Sequence, residues 1–287
     1  MALKDLLVYV DLTDGANVRL RLAADLARRH GSHLTALFVR EPTPNQLELH
    51  KSAELGLATG QEMVELDQRM GASVEATARR LRSALVRLGQ EHALATEWRD
   101  VDGPAADIVP EHARYADLTI LGQNVTADQD SVEFSFAERL PLVSGRPVIY
   151  IPAAETRATL GRHILIAWNA SRAAARAVKD ALPLIEKAER TTVMVVDPAE
   201  VLRYDGALPL DRLLEHLRRH GTVIEAVRAE RQSGESVAGL LQARARALDA
   251  DLIVAGAYSH SKLLEQMLGG VTRDLLETMT LPLLLSH

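Results

Sequence analysis

The chain has 287 residues, enough for two domains of ordinary size, and 47% are apolar, so a packed core is expected and disorder is not. A net charge of −6 argues against non-specific nucleic-acid binding, which rests on a basic surface. The lack of cysteine excludes disulfides, thiolate metal sites and a cysteine nucleophile, and it fits a reducing compartment.

The start, Met1-Ala2-Leu3-Lys4-Asp5, sets one lysine beside an acid and makes no basic leader. Residues 6–10 are apolar and stop at Asp11, which is short for a signal peptide and reads as a first strand. An alanine-rich helix is predicted over 18–29 and a strand over 35–39, with Pro42 just after. Residues 47–89 read as one or two helices, because Met63, Leu66, Met70, Val74, Ala78, Leu81, Leu85 and Leu88 recur at three- and four-residue spacing. Strands follow at 98–103, at Ala116-Asp117-Leu118-Thr119-Ile120-Leu121-Gly122, and at 146–151. Residues 153–161 are mostly small and polar and form a weakly structured linker.

The same signals then return. A strand at 164–168 ends at Asn169, and a helix is predicted over 172–190, in which Pro183 should cause a kink or a restart. Strands are expected at 192–196, with Pro198 after it, then at 229–234, 250–256 and 281–285. No apolar run approaches a membrane span, so a cytoplasmic protein is expected, with neither membrane nor nucleic acid as partner.

Strands alternating with helices imply right-handed crossovers and a parallel sheet covered on both faces. The fold class is α/β, as two tandem five-stranded domains at 1–152 and 162–287, each of the open, doubly wound kind. Each half ends in an apolar strand that seeks a partner. The halves are therefore expected to pair as an intramolecular pseudo-dimer along these strands, and the sequence leaves a homodimer with a further copy open.

The most informative stretch is the last. Ala255-Gly256-Ala257-Tyr258-Ser259 is followed, nine residues after Ser259, by Gly269-Gly270-Val271-Thr272 and a helical segment. Glycines so placed let backbone N–H groups approach a phosphate, and a helix starting after Gly270 aims its positive end at the same point. This spacing, with the repeat, resembles the universal stress protein family in its tandem two-domain form, whose fold is adenine nucleotide α-hydrolase-like. Its nucleotide-binding members carry Gly-x-x-Gly, nine residues, then Gly-Ser or Gly-Thr. Ser259 and Gly270 depart from that pattern.

By that resemblance, an acid ending the first strand recognises the adenosine part; Asp11 and Asn169 hold that place. Ala255 lies along the nucleotide, and Gly256 and Ser259 stand where the triphosphate passes. Gly269, Gly270 and Val271 offer N–H groups to phosphates, and Thr272 adds a hydroxyl. The first half keeps Gly122 but places Phe134-Ser135-Phe136 where the second has its glycine pair, and such bulk would block a phosphate. Asp11 then reads as a turn acid or helix cap.

Other features read blandly. Trp168 is a core residue more readily than a base-stacking one. His216 and His220 stand one helical turn apart without a third metal ligand, among arginines, and read as a solvated face. No catalytic triad, paired carboxylate set or HExxH motif stands out.

The resemblance implies a stress-response regulatory or protective protein that binds ATP or a related adenine nucleotide, with Mg, in its second half. A nucleotide-independent scaffold is the alternative, and a slow ATPase the third reading.

Overall fold

The computed structural model describes residues 2–41, 61–123, 136–197, 209–257 and 270–287. The first half runs β1 (Asp5–Val10), α1 (Ala16–His30), β2 (His33–Arg40), α2 (Gln61–His92), β3 (Thr96–Asp102), α3 (Ala105–Ala113), β4 (Leu118–Gly122), α4 (Phe136–Ser144) and β5 (Val148–Ile151). The second runs β6 (His163–Ala167), α5 (Arg172–Lys187), β7 (Arg190–Val196), α6 (Pro209–Arg219), β8 (Ile224–Ala229), α7 (Val237–Ala247), β9 (Leu252–Gly256), α8 (Gly270–Thr278) and β10 (Leu283–Ser286).

All these strands lie in one ten-stranded sheet, ordered β3-β2-β1-β4-β5-β10-β9-β6-β7-β8. Each half thus repeats one order, and every pairing within a half is parallel. The seam between halves is antiparallel: Leu283 lies opposite Tyr150, Leu284 opposite Ile149 and Leu285 opposite Val148. The inner strands are apolar on both faces because helices cover both. One layer carries α1, α2, α5 and α6 against residues such as Val8, Ile120, Ile166 and Val254. The other carries α3, α4, α7 and α8 against Leu7, Leu121, Leu165 and Ile253.

The helix ends follow from local chemistry. Gly31 takes a left-handed turn (φ 63°) that returns its N–H to the Ala27 carbonyl and stops α1. Ser171 and Ser236 cap α5 and α7, their hydroxyls accepting from Ala174 N (3.1 Å) and Gly239 N (3.0 Å). In α2, Ala78, Leu81, Leu85 and Leu88 are buried as their spacing predicts; the side chains of Met63, Leu66 and Met70 lie outside the described residues.

Two expectations need correction. The third strand of the second half is Ile224–Ala229, and residues 230–235 form the loop after it. This strand is a sheet edge with exposed Glu225, Ala226 and Arg228, so it lacks the apolar run by which its neighbours are recognised. Pro183 does not restart its helix, since α5 is one element through Lys187. Ala181, Leu182, Leu184 and Ile185 are buried around it, and that packing outweighs the roughly 3 kcal/mol local cost of a helical proline.

One acid in each half pins the start of a strand. Asp251, just before β9, accepts from the backbone N–H of Gly161, Arg162 and His163, each at 3.0 Å, and so pins the start of β6. Burial pushes its carboxyl above the usual range despite those donors. Asp117 does the same for β1 through Lys4 N (2.6 Å) and Asp5 N (3.1 Å). Between the halves, Glu155 folds the connecting segment into turns by accepting from Thr156 N and Arg157 N.

Candidate functional site

In an open parallel sheet, ligands settle where the strand order reverses, beyond the carboxyl ends of the strands. That point lies between β1 and β4 in the first half and between β6 and β9 in the second. The two places are equivalent in topology and differ in content.

The first crevice is filled by the protein. Arg19 of α1 is only 4% exposed. Its Nε donates to the Tyr9 carbonyl at 3.4 Å and its Nη1 to Thr13 Oγ1 at 3.3 Å. Its Nη2 lies 2.5 Å from Asp11 Oδ1, an ion pair rather than an aligned hydrogen bond. Asp11 also accepts from Thr13 N (2.9 Å) and Thr13 Oγ1 (2.5 Å), so it is a turn acid; the cap position of α1 is Gly15. A Cβ on Gly122 would sit 2.4 Å from Arg19 Nη1. Phe136 begins α4 and meets Tyr9 edge-on, with ring centres 6.1 Å apart; Phe134 and Ser135 lie outside the described residues. Sequence reasoning missed Arg19. Its signal was a charged residue on the apolar face of α1, beside Ala16, Leu20 and Ala23.

The second crevice presents other groups. Asn169 is exposed just beyond β6, and its Oδ1 accepts from Ser171 N at 3.1 Å, the local turn that leads into α5. Trp168 packs against the core and hydrogen-bonds through its backbone N–H to Met194 O, while its Nε1 is buried without a partner. Ala255 is buried on β9. Gly256 is glycine for a steric reason: a Cβ there would lie 2.4 Å from the backbone of Ala173 and Ala174. The first turn of α5 therefore packs directly on the end of β9.

Ser259 and Gly269 lie outside the described residues. Gly270 opens α8 and is exposed, and among the described residues an added Cβ would meet only Asp274 Oδ2, at 4.0 Å. Val271 is 41% exposed beside it. Thr272 is buried and already engaged within the protein, so it is turned away from solvent. The start of α8 faces the carboxyl edge of β9, because a right-handed crossover must begin there. At the other end of α8, Gln123 reaches over from the first half. Its Nε2 donates to the Leu276 and Glu277 carbonyls at 3.2 and 3.3 Å.

One strand away, loops after β7 and β8 bound a cleft of about 650 Å³ lined by Asp197, Glu230, Arg231, Gln232, Ser233 and Glu235 among others. Arg231 pairs with Asp197 through its side chain and its N–H, and these hydrogen bonds hold the Asp197 carboxyl below its usual range. This cleft went unseen in the sequence because 229–234 was read as strand. Elsewhere, His216 and His220 meet edge-on and His220 contacts Glu186 at 3.1 Å. Among the described residues no group of three histidines and carboxylates could hold a metal, and no helix is long and apolar enough to cross a membrane.

An α/β sheet that reverses its strand order once in each half is a recognisable class, and comparison with known proteins places the fold within it. Residues 161–287 match the model of the universal stress protein family. The match covers the second half of the chain, and the family's tandem two-domain form fits the repeated strand order. Among solved structures, the fold is similar to a universal stress protein from Archaeoglobus fulgidus DSM 4304 at 15% identity and a TM-score of 0.67, covering 98% of this chain and 96% of that one. It is also similar to a functionally unknown protein from Pseudomonas aeruginosa PAO1 at 16% identity and a TM-score of 0.56, covering 99% and 92%. Among curated proteins, none matches the chain.

Proposed function

We propose that the protein acts in a stress response as a regulatory or protective factor that senses ATP or a related adenine nucleotide, with Mg, in its second half. The observation that carries this reading is the contrast between equivalent crevices. The first is closed by Arg19 and Asp11, whereas in the second Asn169 is exposed and the helix after it has an alanine, Ala177, where the first has Arg19. An exposed amide can both donate to and accept from a ribose or a base. Gly270 and Val271, at a helix start that the described residues do not crowd, suit the approach of a phosphate. The neighbouring cleft carries Asp197, Glu230 and Glu235 around Arg231, which suits sugar hydroxyls and disfavours phosphate.

Isothermal titration with ATP and magnesium tests the reading. Binding is expected in the wild type and should vanish in the Gly269→Val, Gly270→Val double variant. Among the described residues nothing crowds a side chain at Gly270, so its substitution should report on the ligand and not on packing. The first-half variant Asp11→Ala should bind nearly as the wild type does. No heat and no thermal shift at millimolar ATP would leave the second reading, a nucleotide-independent scaffold. One observation favours that alternative: Asn169 Oδ1 is already occupied by the turn into α5. Hydrolysis is expected to be slow at most.

A further inference from the structure

We propose that Arg19 is the residue that decides which half can take a nucleoside: its guanidinium is a built-in occupant of the first crevice. The inference rests on reading the second crevice as a nucleotide site, and it names what makes the first unable to act likewise.

The argument is local. A ligand at the reversal point between β1 and β4 would need the Asp11 carboxylate, the polar groups of the turn after it, and space over Gly122. All three are taken by one side chain. Arg19 Nη2 neutralises Asp11 at 2.5 Å. Nη1 reaches Thr13 Oγ1 at 3.3 Å, and Nε reaches the Tyr9 carbonyl at 3.4 Å. Nη1 also lies where a Cβ of Gly122 would be, at 2.4 Å, so the guanidinium rests on the floor that glycine leaves open. At 4% exposure the whole group is shut off from water. A guanidinium is planar, always charged and donates in a fixed fork, which suits it to replace a ligand's donors against a carboxylate.

The second half differs at both partners together. Asn169 stands in the place of Asp11, and α5 turns Ala173, Ala174 and Ala177 inward, with no long side chain to fill the crevice. The acid and the arginine are present in one half and missing in the other. A carboxylate facing an empty crevice would recruit a ligand with hydroxyls; a carboxylate holding an arginine recruits none.

Adenosine is the probe, since it lacks phosphates and reports on the crevice alone. Binding per chain is measured by equilibrium dialysis on the full chain for the wild type, Arg19→Ala, Arg19→Met and Arg19→Ala with Asp11→Ala. Arg19→Ala should bind a second nucleoside that the wild type does not, and adding Asp11→Ala should remove it. Arg19→Met, which keeps apolar bulk without donors, should gain less than Arg19→Ala. A folded Arg19→Ala chain with wild-type stoichiometry would overturn the proposal. Wild-type protein that binds no adenosine would instead count against the second-half site, because the Arg19 effect is read as a gain over wild type.

Ethylguanidinium covers a failure to fold. At millimolar concentration it should raise the melting temperature of Arg19→Ala, or restore its fold, and leave the wild type unchanged. A variant that ethylguanidinium neither stabilises nor restores would also overturn the idea.

Discussion

Gly256 and Gly270 belong to one motif in the sequence and do opposite things in the structure. Gly256 lets α5 rest on β9; among the described residues, a Cβ at Gly270 would meet only Asp274, at 4.0 Å. Gly256→Ala should therefore cost about 2 kcal/mol through overpacking against fixed backbone. Gly270→Ala should be neutral or gain a few tenths of a kcal/mol, since alanine suits a helix better. Urea denaturation of the two variants checks the contrast, and equal losses would refute it. His30, at the end of α1, gives a pH prediction. Its Nε2 is buried without a partner, and burial, with Lys187 and Arg29 nearby, lowers its pKa from 6.5 to about 4. The unfolded chain then binds the extra proton first. Its contribution to stability is complete above about pH 6.5 and drains away as pH falls towards 4. Thermal melts across that window should show a smaller loss for His30→Leu than for the wild type. At this scale the sequence was a partial guide. The glycine spacing pointed to the carboxyl edge of β9, whereas the reason for Gly256 lies on a helix more than eighty residues earlier in the chain. Arg19 was invisible for a related reason: its partners are set by how α1 lies across β1 and β4, which spacing alone does not fix.

Among elements, the buried strands were legible and the edges were not. β1, β4, β6 and β9 are continuous apolar runs because helices cover both faces, and their bounds in the sequence needed little change. β8 has half its residues exposed, and its place was taken in the reading by the polar loop after it. The acid in the repeated Ala-Asp-Leu pattern was seen without a role. The structure gives it one, and the two copies differ in depth. Asp251 is 8% exposed and satisfies three N–H groups, whereas the Asp117 bonds are solvent-exposed. Asp251→Ala should cost on the order of 3 kcal/mol, because it strands buried donors, and Asp117→Ala about 1 kcal/mol. Equilibrium unfolding ranks the pair; a larger loss at Asp117 would refute the assignment.

At the scale of the molecule, the antiparallel seam between β5 and β10 uses up both apolar final strands. The ends of the sheet are instead β3 and β8, which carry Glu97, Arg99, Asp100, Glu225 and Arg228, charges that discourage further strand addition. Light scattering is expected to return the mass of one chain, 31.4 kDa. A dimer mass would require a contact surface elsewhere. Because the seam is antiparallel, the carboxyl ends of the two half-sheets point in opposite directions, and the two crevices open at opposite margins of the sheet. A pair of identical chains joined along the same seam would show every substitution twice, once at each margin. Here the pair is one chain, so a change at one margin leaves the other untouched. An arginine can fill one crevice without being inherited by its twin, so each margin is free to change by itself.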